Sequence, residues 1–209
     1  MPKFLALSGY HNSGKTTVGT YIVAKLSERG YKVGVIKSTK ETTEETDKPG
    51  SDTFKYRKAG AKLVALFQKD RMTLFIEDLP KEKDKVFTLF ERLFFDYDLV
   101  ILEGFKEWRD VPKIWLKRND EEVLPEGIEN IQMIAEAKDK ERILRFVEEY
   151  LGVQNNGDIK IFVFVNDEYI PLKPHLKLLC QNIMLGILAS LKGVTQIQEV
   201  KTVEVLIKR

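Results

Sequence analysis

Apolar positions along this chain fall into short continuous runs that alternate with stretches of helical periodicity. This alternation predicts strands buried on both faces of a parallel sheet, with helices between them. The first apolar run covers Lys3–Ser8, a helical pattern follows at residues 15–29, and a β-branched run follows at 31–36. A strand, a helix and a strand at this spacing are typical of a βαβ unit. Further along, the pattern predicts helices at 54–60, 83–95 and 139–151, and strands at 98–103, 112–117 and 131–135.

Two other parts of the pattern are less regular. The apolar runs at 63–67 and 72–76 are compatible with a pair of strands, or with a strand and the start of another element. Polar residues and a glycine at 154–157 predict a linker. Beyond it we expect strands at 159–165 and 169–172, a helix at 174–191 and a strand at 200–207. The fold prediction is therefore an α/β domain at 1–153, with a mostly parallel sheet flanked by helices, and a small α+β accessory domain at 158–209 whose strand edges favour self-association.

The segment between the first strand and the first helix carries the pattern of a phosphate-binding loop. Two glycines let the backbone curl so that consecutive N–H groups point into one concavity, and the helix that follows adds the positive end of its dipole. The lysine of the pattern can reach the β- and γ-phosphates, and the hydroxyl after it can bind Mg²⁺. The expected nucleotide-binding residues are Gly9, Tyr10, His11, Asn12, Ser13, Gly14, Lys15, Thr16 and Thr17. This arrangement is typical of the P-loop NTPase fold.

A second informative stretch is the apolar strand that begins after Asp98 and ends at Glu103 and Gly104. Ligands of parallel sheets lie at the carboxyl ends of the strands. Asp98 lies five residues before Glu103, about 16 Å away along an extended chain, so it is expected at the opposite end. We therefore predict that Thr16 and Glu103 form the metal site, with the positioning of the attacking water as the alternative role for Glu103.

Polar residues fill the whole segment 38–53, which leaves the carboxyl end of the second predicted strand beside the phosphate loop. A long polar loop in this place is suited to act as a switch, although it also fits a solvated surface loop. Lys37 precedes it and can stabilise phosphate charge. Asp47 and Asp52 bracket its Pro-Gly turn. The predicted catalytic residues are thus Glu103, Lys37, Asp47 and Asp52.

Composition narrows the picture further. The formal net charge of +2 gives no general attraction to nucleic acid or to an anionic membrane. Cys180 is the only cysteine, which excludes an internal disulfide. The amino terminus leads directly into the first strand, and no apolar run is long enough to span a membrane. We therefore expect a cytoplasmic protein without nucleic-acid or membrane partners.

These motifs together resemble one known family, the MobB family of molybdopterin-guanine dinucleotide biosynthesis adapter proteins, over about residues 3–150. The segments that carry the resemblance are 8–17, Val33–Lys37, 47–50, Asp52, 59–61 and the Leu-Glu-Gly-Phe-Lys run at 102–106. The resemblance implies a P-loop protein that binds GTP with Mg²⁺, hydrolyses it weakly and forms a homodimer. It also implies work beside the guanylyltransferase that joins GMP to molybdopterin, with molybdopterin itself as a further candidate ligand. Relatives often carry histidines after the lysine that ends the second strand, where this chain has Ser38 and Thr39.

Other functions stay open at this point. The Asn-Lys-x-Asp guanine signature is absent, although Asn119-Asp120 could offer a substitute carboxylate, and Asn166-Asp167 is more simply a hairpin turn. A small-molecule kinase would need an arginine-rich lid, but the arginines are scattered. A partition-type ATPase would carry a lysine in place of Tyr10. A non-catalytic module, in which nucleotide holds a conformation and a partner does the chemistry, agrees with the adapter interpretation.

Overall fold

The computed structural model describes residues 2–39, 46–118, 126–152, 163–165, 168–170 and 172–191. The chain divides into two compact units, residues 1–153 and 154–209. The elements of the first unit are β1 (Lys3–Ser8), α1 (Lys15–Glu28), β2 (Val33–Lys37), α2 (Asp52–Lys58), β3 (Leu63–Gln68), β4 (Arg71–Ile76), α3 (Lys83–Leu93), β5 (Leu99–Glu103), β6 (Lys113–Leu116), β7 (Ile131–Ala135) and α4 (Lys140–Leu151).

Five strands of the first unit form one parallel sheet in the order β2-β5-β1-β6-β7. β5 therefore lies between β1 and β2, and the carboxyl ends of all three strands meet at one edge. The register aligns Lys37 of β2 and Leu7 of β1 with Glu103 of β5. The predicted mostly parallel sheet flanked by helices is confirmed.

Successive side chains of each strand point to opposite faces of the sheet, so the core has two layers. On one face, Leu5, Leu7 and Ile101 pack with buried residues of α1 and α4. On the other face, Phe4, Ala6 and Leu102 pack with aromatic residues, among them Phe87 and Phe90 of α3. The strands are apolar on both faces because helices cover both.

β3 and β4 form a separate two-stranded antiparallel sheet. The structure thus decides between the two possibilities that the sequence left open in favour of a hairpin. Most of its side chains are exposed, including Phe67 at 79% and Met72 at 57%. The helix before it, α2, begins two residues earlier than predicted because the Ser51 hydroxyl accepts a hydrogen bond from the Phe54 N–H (3.1 Å) and caps it.

The described part of the second unit consists of a short antiparallel pair, β8 (Phe164–Val165) and β9 (Glu168–Tyr169), and α5 (Pro174–Ser190). The predicted strand at 200–207 and the predicted Asn166-Asp167 turn lie outside the described residues, as do Asn119-Asp120 and positions 40–45 of the polar loop. No helix in the described ranges is long and apolar enough to cross a membrane.

Candidate functional site

The loop between β1 and α1 depends on backbone conformations and spaces that only glycine supplies. Gly14 has a φ of 82°, and a Cβ there would lie 2.5 Å from the Cβ of Ala137. A Cβ on Gly9 would collide with the carbonyl oxygen of Leu116 and lie 2.5 Å from the Ser13 hydroxyl. The first turn of α1 contains no acidic residue, and no side chain caps it. The amides and dipole of this helix end are therefore not neutralised by a side chain of the helix itself.

Lys15 folds back over the loop. Its Nζ donates hydrogen bonds to the carbonyl oxygens of Tyr10 (2.6 Å) and Gly9 (3.2 Å). Burial lowers the pKa of Lys15; nearby Glu103 raises it, and nearby Lys37 and Lys106 lower it further. Three cationic side chains thus act on one another here, and an anionic ligand would relieve their repulsion.

Glu103 contacts two of the other predicted site residues. The Thr16 hydroxyl donates a hydrogen bond to its Oε1 (2.8 Å), and the Nζ of Lys37 lies 3.4 Å from the same oxygen. The Glu103 side chain is 11% exposed, whereas the Lys37 side chain is 64% exposed. A threonine hydroxyl and one carboxylate fit the way proteins hold Mg²⁺, because most of its shell comes from phosphate oxygens and water. These residues would hold the ion, which would neutralise phosphate charge at that point.

The turn after β5 is tied to the strand that leads into the loop. The Ser8 hydroxyl donates to the carbonyl oxygen of Gly104 (2.7 Å), and the Gly104 N–H donates to the carbonyl of Leu7 (3.0 Å). These bonds fix Glu103 relative to the phosphate loop. We did not predict this role for Ser8, although a buried polar residue at the end of an apolar strand is a usable signal.

Tyr10 is surrounded by groups from two other segments, β6 with the residues after it and the turn after β5. Its ring meets the Trp115 ring edge-on at 5.6 Å, and the Nζ of Lys106 and the guanidinium carbon of Arg118 lie 5.9 and 5.6 Å from its centre. Cations in contact with a ring are stabilised by its π electrons. The sequence analysis missed Arg118, because no local pattern links the end of β6 to the second residue of the loop.

The remaining predicted loop residues, His11, Asn12 and Thr17, are exposed. Asn12 has a φ of 60°, which asparagine tolerates better than most residues. Their contact with nucleotide stays a prediction.

Asp47 lies in the loop that leads into α2, and Asp52 is the first residue of α2. Asp47 is 6% exposed and accepts hydrogen bonds from Thr53 (2.9 Å) and Ser51 (3.0 Å), with Arg57 at 3.4 Å. Burial raises the pKa of Asp47, but the hydrogen bonds from Thr53, Ser51 and Arg57 outweigh burial, so its pKa lies below the usual value. Asp52 is exposed and pairs with Lys55 (3.1 Å). The partners of both acids in these contacts are Ser51 and residues of α2. A catalytic role for either acid stays a prediction.

Comparison with known proteins agrees with this geometry. Residues 4–139 match the family model described as molybdopterin guanine dinucleotide synthesis protein B. The molybdopterin-guanine dinucleotide biosynthesis adapter protein of Haemophilus influenzae is 34% identical over 63% of this chain and 72% of its own length. The adapter protein of Escherichia coli is 33% identical over 61% of this chain and 73% of its own length.

Solved structures give the same result for the fold. Bacillus subtilis MobB superposes with a TM-score of 0.55 at 23% identity, covering 73% of this chain and 99% of its own. A crystal structure of molybdopterin-guanine biosynthesis protein B superposes with a TM-score of 0.51 at 26% identity, covering 71% of this chain and 98% of its own. The family model alone spans well over half of the chain and includes the phosphate loop, β5 and the turn after it. The chain therefore belongs to the family of molybdopterin guanine dinucleotide synthesis protein B, with its nucleotide-binding P-loop fold.

Proposed function

We propose that this chain is a GTP-binding adapter in the cytoplasmic synthesis of the molybdopterin guanine dinucleotide. It would hold GTP with Mg²⁺ in the β1–α1 loop, hydrolyse it slowly and act beside a molybdopterin guanylyltransferase. The observation that carries the proposal is that Thr16 and Lys37 both lie within 3.4 Å of Oε1 of Glu103, next to a loop whose helix end has no side-chain cap.

Each group has a defined task in this proposal. The loop amides and Lys15 bind the phosphates, and Lys15 gains a partner for its charge when it leaves the Gly9 and Tyr10 carbonyls. Thr16 and Glu103 hold the metal ion, and Lys37 opposes charge that builds up during phosphoryl transfer. Slow turnover suits an adapter, because bound nucleotide then maintains one conformation while the partner does the chemistry.

The proposal is tested by a competition between GTP and ATP in the presence of Mg²⁺, with and without a molybdopterin guanylyltransferase. We expect the chain to bind GTP more tightly than ATP. We expect Lys15→Ala to weaken binding about 10- to 100-fold, since a hydrogen bond to a charged group contributes about 1.5–3 kcal/mol.

The matched control is Lys25→Ala, which removes the same side chain from the exposed surface of the same helix, where it pairs with Glu28 (2.8 Å). It should bind GTP as the unchanged chain does. An unchanged affinity in Lys15→Ala would refute the nucleotide site, and a preference for ATP would refute the assignment of GTP.

The proposal includes a homodimer, which one face of the β3–β4 hairpin supports. Directly paired residues of an antiparallel hairpin point to the same side, so the register gives one wholly apolar face. Its residues are Leu63, Ala65, Phe67, Met72, Leu74 and Ile76. A two-stranded hairpin is barely stable by itself, and an exposed apolar face of this kind is typical of association sites. A second copy of the chain offers the same face, as a two-fold dimer requires.

A further inference from the structure

A cavity of about 350 Å³ opens beside the phosphate loop, between α1 and the sheet. Its wall on α1 follows one helical face, since Thr16, Thr20 and Ala24 recur every four residues. Ligand sites are typically cavities of about 300–1,000 Å³ with apolar walls and a few polar groups. The cavity meets both conditions, and the roles assigned above to loop and metal residues do not use most of it.

The sheet residues that line the cavity, Val35, Ile101 and Glu103, belong to two neighbouring rungs of the sheet. Val35 of β2 pairs with Ile101 of β5, and Lys37 pairs with Glu103 one step further along on the same face. The first rung is apolar and the second is charged. A ligand lying along these strands would therefore meet an apolar surface at one end and charged groups at the other.

The cavity exists because little side chain fills the space over β2. β2 is the edge strand of the sheet, and Val35 is 48% exposed although it lies on the face that α1 covers. The helix presents Gly19 and Ala24 at this point, where larger side chains would close the gap.

The mouth of the cavity is suited to an anion. Thr16 and Glu103 line the cavity, and the mostly exposed Lys37 lies next to Glu103, with its Nζ 3.4 Å from the Glu103 Oε1. A phosphate monoester at the mouth would pair with Lys37, while the metal ion proposed at Thr16 and Glu103 would reduce repulsion between it and the nucleotide.

We propose that this cavity binds a planar heteroaromatic ring that carries a phosphate monoester, with the ring between α1 and the Val35–Ile101 rung and the phosphate at Lys37. A flat ring offers two apolar faces to the walls and polar edges to the hydroxyls of Thr16 and Thr20. The inference rests on the proposed function, in which molybdopterin, a pterin with a phosphate monoester, accepts the nucleotide. It assigns this chain a site for the acceptor as well as for GTP.

The probe for this site is 6-hydroxymethylpterin phosphate, whose fluorescence reports binding to the full chain in the presence of GTP and Mg²⁺. Ala24→Leu fills the cavity at an exposed helical position and should weaken binding of the probe more than about tenfold by steric exclusion. Ser27→Leu places the same side chain on the exposed surface of the same helix outside the cavity and should leave binding unchanged. Lys37→Ala should reduce the affinity to that of 6-hydroxymethylpterin, which lacks the phosphate.

A GTP titration of the same samples separates this inference from the proposed function. If GTP binds normally but the pterin phosphate does not bind, the inference alone is overturned. It is also overturned if GTP displaces the probe, since the cavity then belongs to the nucleotide, or if the two leucine variants behave alike. Failure of GTP itself to bind the unchanged chain would refute the proposed function instead.

Discussion

At the scale of single residues, Glu103 connects the phosphate loop to the second strand, through its contacts with Thr16 and Lys37. The choice between Glu103 and Asp98 followed from strand geometry, because only one end of a parallel strand faces the ligand edge. The structure places Asp98 at the other end, where its carboxylate accepts a hydrogen bond from the Lys32 N–H (2.8 Å). The two acids thus differ in position rather than in chemistry, which makes them a matched pair for testing.

We predict that Glu103→Gln retains nucleotide affinity but lowers Mg²⁺-dependent hydrolysis about 100-fold or more, because a metal ligand's charge is worth several kcal/mol in the transition state. Glutamine can still accept the hydrogen bond from Thr16, so the loop should keep its shape. Single-turnover phosphate release measures the effect. Asp98→Asn, the same change at the far end of the strand, should hydrolyse GTP normally, and equal rates in both variants would assign the role elsewhere.

At the scale of elements, the sequence predicted those helices, strands and loops whose signal lies within one short segment of the chain. β1 and β7 have the predicted bounds because apolar runs flanked by polar residues or turns mark buried strands clearly. The hairpin was ambiguous because a short apolar run looks the same in a strand and in a buried helix. The phosphate loop was predictable since its residues are contiguous. The Arg118–Tyr10 contact and the cavity over Val35 were not, because each depends on segments that only the sheet order brings together.

The start of α2 provides a prediction on pH. The pKa of Asp47 lies below its usual value of 3.8 in the folded chain, so its contribution to stability is fully present above pH 3.8. The contribution is lost as the pH falls through the folded-state pKa. We expect Asp47→Asn to lower the melting temperature above pH 3.8, with a difference from the unchanged chain that shrinks below it. Thermal melts across this range measure the effect.

Asp52→Asn is the control for this variant, since Asp52 is exposed and its pair with Lys55 is a helical surface pair, worth about 0.3–0.5 kcal/mol. Its melting temperature should change little at any pH. A drop as large as that of Asp47→Asn would contradict the assignment of Asp47 as the acid that orders this segment. GTP hydrolysis by both variants, assayed below their melting temperatures, tests the catalytic roles that the sequence suggested.

At the scale of the whole molecule, the hairpin face gives a prediction on assembly. Phe67→Lys places a charge at the most exposed large side chain of the apolar face, and we expect the variant to be monomeric by light scattering after size exclusion. Thr73→Lys adds the same charge to the opposite face of the same hairpin and should remain dimeric. A monomeric unchanged chain, or equal behaviour of the two variants, would refute the hairpin interface.

The distribution of the core leads to a prediction about the two units. Both buried clusters draw their residues from between Phe4 and Leu151, and the family match ends earlier, at residue 139. A chain ended after Val153 should therefore unfold cooperatively and bind GTP as the full chain does. α4 lies beyond the family match but carries four buried residues, Ile143, Leu144, Val147 and Leu151.

A chain ended at residue 139 is the matched truncation, because it keeps the whole family match and removes α4. Each buried aliphatic side chain contributes about 1.5–3 kcal/mol, so the loss of four approaches the whole stability of about 5–15 kcal/mol of a typical domain. We expect this shorter chain to be unfolded by circular dichroism and unable to bind GTP. If it folds, or if the chain ended after Val153 does not, the boundary between the nucleotide-binding domain and the accessory domain lies elsewhere than proposed.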